Sequence, residues 1–432
     1  MAVVLAGLFL VITAYAVFNP FAGLLGLLAA DMLRPGELYP SIAFLHVERI
    51  LAIVLLLSVM FRPNRLAWPP ITKALLIFWG AMFASVPLSI WRPDALNNAV
   101  NFGRIVLYHV LIVNLVTTEK RYRAVLLVYT LLIGWLVASS LYAFSQGIIY
   151  HGTESVERVE ALNSFGGNPN SLGTTMVISI PLIWLLATKG SGVFTRLLSI
   201  GVIAGCIGTV IYTGSRTSYL ALFFMILVMP FLRKKRLIYA PMALALIAII
   251  WIATPQDYKD RYLSVTERNK DLSYINRLKS WDAGWHMFLD NPLTGVGVGE
   301  YGNANGMKYW PDPGHRIWLG AHSLYFQCIA ELGIIGAGSF LFFLYRFFRL
   351  NAELTRRFDE ELSWSSAVRH FPSACNLILL SLLFAGYSGH DLYRTMWYLM
   401  AGLAGALQLM AVQPELAPAV DELPAPLWAQ AR

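Results

Sequence analysis

Apolar residues fill most of this chain in blocks matching the roughly 17–25 positions a helix needs to cross a hydrocarbon core about 30 Å thick. Blocks near 44–61, 71–90, 103–117, 123–147, 170–187, 194–213, 216–232, 236–253, 322–345, 373–387 and 395–412 each predict a spanning helix. The first 32 residues are also apolar but break at Asn19-Pro20, which predicts one kinked span or two short ones. The expectation is an all-α polytopic membrane protein with about twelve transmembrane helices. The pattern changes once, between 254 and 321, where polar and charged positions interleave with aromatics. The chain thus divides into an N-terminal transmembrane bundle (1–253), one large loop carrying short helices (254–321), C-terminal spans (322–412) and a tail (413–432). Prolines among alanines and acids predict that the tail is a disordered cytoplasmic end.

Composition agrees with this reading. Of 432 residues, 57% are hydrophobic and 13% charged, where soluble domains carry about 25% charged residues. Lysine and arginine sort by loop: segments 62–70, 118–123, 188–196, 233–236 and 346–370 hold sixteen, the alternate segments only five. By the positive-inside rule the first set is cytoplasmic, with Arg233-Lys234-Lys235-Arg236 its clearest anchor, and the large loop faces the exterior or periplasm. The net charge of +8 therefore reports topology and membrane lipid, not nucleic acid. No basic stretch precedes the first apolar run and no small-residue cleavage site follows it, so no removable signal peptide is expected. Cys206, Cys328 and Cys375 fall inside spans without paired spacing, which predicts neither a disulfide framework nor a metal site.

Candidate chemistry concentrates at the outer face. In Ile275–Asp290, stopped by Asn291-Pro292, helical periodicity gathers Leu278, Trp281, Trp285 and Phe288 on one side, with Arg277 beside Phe288. An arginine there either snorkels to head groups or forks onto phosphate oxygens in a pocket. Thr213-Gly214-Ser215-Arg216-Thr217-Ser218 forms an outer turn whose hydroxyls can donate to an anion and which delivers a second guanidinium, Arg216. Two guanidiniums suit a diphosphate. His322 opens the span after the loop, and an imidazole titrates near neutrality, as acid–base work requires. Ser323, Gln327 and Glu331 form a polar stripe down that span. An intramembrane glutamate is either functional or a structural hydrogen bond to a neighbouring helix. His322 lies off the stripe, so no His–Glu dyad is expected. Gly333, Gly336 and Gly338 suggest close helix packing. Asn163–Asn170 gives a turn-rich outer loop ending at Asn170. Arg49, Arg104, Arg158, His390, Asp391 and Arg394 rank second, for acceptor binding or structural pairing. Gly295-Val-Gly-Val-Gly299 has the look of a dinucleotide loop but lacks a βαβ unit. Asp257 and Asp260 are weak candidates for metal, and no Walker loop argues for an ATP-driven pump.

The motifs SFGGNPNSL (164–172), TGSRTSYL (213–220), INRLKSWDAGWHMFLDNPLTGVGVGEY (275–301) and AHSLYFQCIAELGIIG (321–336) together resemble the O-antigen ligase and polymerase family of bacterial membrane glycosyltransferases. The resemblance implies a GT-C-like fold in the inner membrane and an active site facing the periplasm. It also implies transfer of a glycan from an undecaprenyl diphosphate carrier to a glycan, lipid A-core or protein acceptor, with no metal or other cofactor. On it, Arg216 and Arg277 clamp the donor diphosphate and His322 is the catalytic histidine, with Glu331, Ser215 and Asn170 in support. Ligase, polymerase and protein O-glycosylation activities stay open, ligase-type transfer being favoured by the single large outer loop. A transporter of lipid-linked anions would show inverted repeats and charges at mid-membrane; the sequence has neither pattern.

Overall fold

A computed structural model describes residues 2–61, 66–150, 156–232, 236–263, 272–312, 314, 316–361 and 363–412. Arg233, Lys234 and Lys235 of the basic anchor and the tail from Gln413 lie outside the described residues. Among the described residues the regular structure is all helical, with no strand.

The N-terminal half runs α1 (Ala2–Phe18), α2 (Pro20–Leu33), α3 (Pro35–Leu38), α4 (Val47–Met60), α5 (Pro70–Ser85), α6 (Arg92–Leu115), α7 (Glu119–Ser145), α8 (Pro169–Leu186), α9 (Val193–Tyr212) and α10 (Arg216–Val228). There follow α11 (Arg236–Ala253), α12 (Gln256–Leu263), α13 (Leu272–Asp290), α14 (Tyr301–Ala304), α15 (Leu324–Glu360), α16 (Ser366–Ala385) and α17 (Thr395–Val412). Local chemistry sets many starts. Asn19, Thr118, Asn168 and Ser215 cap α2, α7, α8 and α10 with side-chain oxygens, and Pro20, Pro70 and Pro169 open their helices. Capping satisfies amides that the first turn leaves open, and proline loses nothing at that position.

Every one of the eleven apolar blocks coincides with a helix. Eight described helices are long and apolar enough to cross a bilayer, and a ninth span arises if α11 and α12, bent by 113°, are counted as one. Helices α1, α2, α5 and α10 are shorter apolar segments. The break at Asn19 separates two short helices that fold back on each other, Gly26 lying against Ile12. Helix α15 outruns its apolar block by fifteen positions, through the basic stretch expected to be loop. Arginine and glutamate are good helix formers, and Arg349 approaches Glu353 at 3.9 Å one turn on.

The core lies where α5, α6, α15 and α17 meet. Phe78 packs against Phe340 at 5.3 Å and Phe102 meets Tyr398 edge-on at 5.0 Å, all four buried. Helix α15 is not continuous: Gly333 takes φ 59°, ψ −159° and interrupts it. Close packing was the expected use of this glycine; a break is the observed one. The segment 292–299 fills the gap with backbone. Ile334 N donates to Pro292 O (2.8 Å), Val296 N to Ala330 O (2.8 Å) and Gly297 N to Glu331 O (3.0 Å). Non-helical backbone at membrane depth survives only where such partners replace the lost ladder. A β-carbon on Gly333 would strike the backbone of Leu293, and one on Gly295 the backbone of Glu331. The GVGVG run is thus a backbone wedge.

Candidate active site

Helix α13 positions the histidine. Its buried face is Ser280, Ala283 and Met287; of the aromatic stripe, Leu278 and Trp285 are exposed, whereas Trp281 packs against Phe326 and Tyr387. From this helix the Ser280 hydroxyl donates to Gly320 O (3.0 Å) and the Trp281 indole N–H to Ala321 O (3.0 Å). The next residue, His322, is held at φ 46°, in the left-handed region. Chain beyond it is fixed immediately, where Leu324 N at the start of α15 donates to Gly386 O (2.7 Å). A non-glycine residue at positive φ persists only where its surroundings over-determine it, and such residues cluster at functional sites.

The His322 ring lies 5.1 Å from that of His390, at 70° between planes. Among the described residues no hydrogen bond reaches either ring, and His322 is half-buried. Burial first, then the positive fields of His390 and Arg277, push the His322 pKa down from 6.5 to about 3. At neutral pH its imidazole is uncharged, with a lone pair able to take a proton. Desolvation likewise lowers His390, against the pull of Asp391 and with help from Arg394 and Arg277, although part of its ring stays open. Arg277 thus acts on both imidazoles.

Arg216 arrives from another direction. Gly214, at φ 57°, bends the turn before α10. Arg158 Nε donates to Thr213 O (2.7 Å), Arg261 Nε to Gly214 O (2.7 Å) and Arg216 Nε to Arg261 O (3.1 Å). The hydroxyl of Thr217 bonds that of Ser388, which seats this turn against the loop 386–394. That loop carries His390 and the buried pair Asp391–Arg394 (2.7 Å). Arg394 also donates to Thr175 Oγ1 (2.8 Å) and Ser171 Oγ (3.2 Å) of α8.

The remaining sequence candidates have partners within the protein. Ser215 is 1% exposed and its hydroxyl oxygen caps α10, accepting from Ser218 N at 3.3 Å. The Asn170 side chain accepts from Arg158 Nη2 at 2.8 Å. Glu331 is 2% exposed and accepts from Gly299 N (2.9 Å) and the Tyr393 hydroxyl (2.5 Å). It ties the wedge to the start of α17. Its stripe partner Gln327 takes Leu392 N at 3.4 Å. Sequence reasoning ranked His390 second; the available signal was a His-Asp-x-x-Arg cluster squeezed between two apolar blocks.

The comparison with protein families gives one match: residues 200–341 fit the family model described as O-antigen ligase. Arg216, Arg277, His322 and Glu331 fall inside that segment; Asn170 and His390 do not. No curated protein matches the chain.

Proposed function

For a chain that carries an O-antigen ligase domain over residues 200–341, we propose that it transfers a glycan from an undecaprenyl diphosphate carrier to an acceptor hydroxyl at the periplasmic face of the inner membrane. The match over residues 200–341 supports ligase- or polymerase-type activity in surface polysaccharide assembly. The observation that carries the finer reading is the half-buried His322 ring, held at positive φ beside His390 and unclaimed by any hydrogen bond among the described residues.

The acceptor O–H attacks the anomeric carbon, forming the new glycosidic C–O bond. The bond from that carbon to the carrier's diphosphate oxygen breaks, and both its electrons leave with the diphosphate. The acceptor proton passes to His322. Arg216 and Arg277 neutralise charge on the leaving group, which is where preorganised cations accelerate a reaction most. A bound diphosphate also offsets the Arg277 field at His322 and so raises its proton affinity when a base is needed. An open groove lined by Trp281, Trp285, Tyr325, Phe326 and Ile329 adjoins Ala321 through Trp281 and suits the carrier's apolar chain. The arginines supply the positive charge that a metal provides elsewhere, so chelators should leave the rate unchanged.

The test is incubation of purified protein with lipid-diphosphate glycan and separate acceptors. A mass-shifted lipid core is the expected product. A ladder of repeats would reassign the chain to polymerisation and a modified polypeptide to protein glycosylation. Consumption of donor with none of these products, or full activity of His322→Ala, would overturn the reading.

A further inference from the structure

A second cavity, of about 370 Å³, opens between α2, α4 and α6. It sits at the small end of ordinary ligand pockets, which span about 300–1,000 Å³. Asp31 enters from the last turn of α2 and Glu48 from the first turn of α4. Asn98, Asn101, Arg104 and Tyr108 line it from one face of α6. Arg104 lies at the exposed mouth, and Arg34 adds a second guanidinium. No chemistry described above uses these groups.

Three features narrow the occupant. The walls mix charged and amide side chains with the apolar Leu27, Phe102, Ile105 and Val298, a lining that matches the polar rim and C–H faces of a sugar better than a bare diphosphate or an alkyl chain. Donors and acceptors also alternate at short range. Among the described residues no hydrogen bond reaches the carboxylates of Asp31 and Glu48, nor the hydroxyl of Tyr108, which is only 8% exposed. These groups stay open to the cavity, where a ligand rich in hydroxyls can bond them because every hydroxyl both donates and accepts. Phe102, also in the wall, offers a ring to the apolar face of such a ligand. The cavity ends on Gly299 and Tyr393, the two groups that hold the Glu331 carboxylate, and Tyr393 follows His390 by three positions. An occupant therefore rests against the same 386–394 segment that meets His322.

We infer that this cavity is a saccharide subsite, taking an uncharged, hydroxyl-rich sugar of the acceptor and presenting the acceptor toward His322. The inference rests on the proposed glycosyl transfer for the word acceptor, but binding itself does not. Full-length protein in nanodiscs is titrated with a panel of uncharged hexose disaccharides, and in parallel with a polyprenyl diphosphate, by saturation-transfer NMR. Asp31→Asn and Tyr108→Phe should each weaken disaccharide binding about tenfold, the loss of one well-placed hydrogen bond, and leave polyprenyl diphosphate binding unchanged. Arg277→Lys should do the reverse. Tyr108→Phe removes a single oxygen, and an unchanged melting temperature confirms that its effect is local. Absence of saturable disaccharide binding, or binding indifferent to both variants, overturns the subsite. So does loss of diphosphate binding in those variants. If disaccharide binding depends on Asp31 and Tyr108 but no glycan is ever transferred, the subsite stands and the proposed activity falls.

Discussion

His322 and Glu331 lie nine residues apart on one segment, and the protein treats them in opposite ways. Glu331 is buried in α15 and its carboxylate is claimed by Gly299 and Tyr393. His322 sits before the helix at positive φ, half-buried, beside a second imidazole and under an arginine's field. A satisfied group holds structure together; an unsatisfied one under strain is available to a substrate. Under the proposed function, the contrast puts chemistry at the membrane edge and architecture in the interior. Both residues were candidates in the sequence, and only their partners tell them apart.

The widest gap between the two should appear on truncation. His322→Ala is expected to lower kcat by about 10²–10⁴, the usual worth of a positioned proton acceptor, while the melting temperature in detergent stays within a few degrees. Steady-state transfer assays beside a thermal-shift curve decide this. A variant that unfolds, or one that keeps its rate, removes His322 from the chemical side of the comparison.

The arginines come next. Arg277→Lys and Arg216→Lys preserve charge but lose the planar fork that grips two oxygens. Each should cost about 10²–10³ in kcat, as removal of one transition-state donor does elsewhere. An Arg394→Lys control should differ in kind, because Arg394 pairs with Asp391 and the hydroxyls of α8. Its loss should appear as reduced stability. Equal kinetic effects at all three positions would mean that the region responds to net charge alone.

Glu331→Ala probes the architectural side. It strands the Gly299 amide and the Tyr393 hydroxyl, at about 1–3 kcal/mol for each buried group left unpaired. The expected outcome is a lower melting temperature with kcat per folded molecule within about tenfold of the parent protein. A collapse of kcat at unchanged stability would move Glu331 into the reaction and erase the distinction.

Much of this was legible from local pattern. Apolar blocks gave the helices, and Asn19, Thr118, Asn168 and Ser215 gave starts, because capping needs only neighbours in sequence. Arg277 and His322 were visible as polar groups at unusual places. The break in α15 was not. A glycine within an apolar run reads equally as a packing surface or an interruption, and what decides is the wedge 292–299, some forty positions upstream of Gly333 and joined to it by backbone bonds. Residue identity carries little trace of such bonds. The same holds for Ser215 and Asn170, whose partners inside the protein, Ser218 N and Arg158, are not written in the residue types at those turns. His390 was underrated because its proximity to His322 depends on how α16 and α17 pack.

The smallest effect is the response of the fold to acid, to which His322 contributes. Its folded pKa of about 3 lies below the ordinary 6.5. Between those values the unfolded chain binds a proton that the native site refuses, so stability rises with pH across the window. The contribution is complete above about pH 6.5 and drains away as pH falls toward 3. Carboxylates add their own acid sensitivity, so the informative quantity is a difference. Melting temperatures of the parent and of His322→Gln, measured from pH 7 to pH 4, should diverge, with the variant losing less. Parallel curves would show that His322 accepts a proton in the native state as readily as in the unfolded one, and the electrostatic isolation that separates it from Glu331 would not exist.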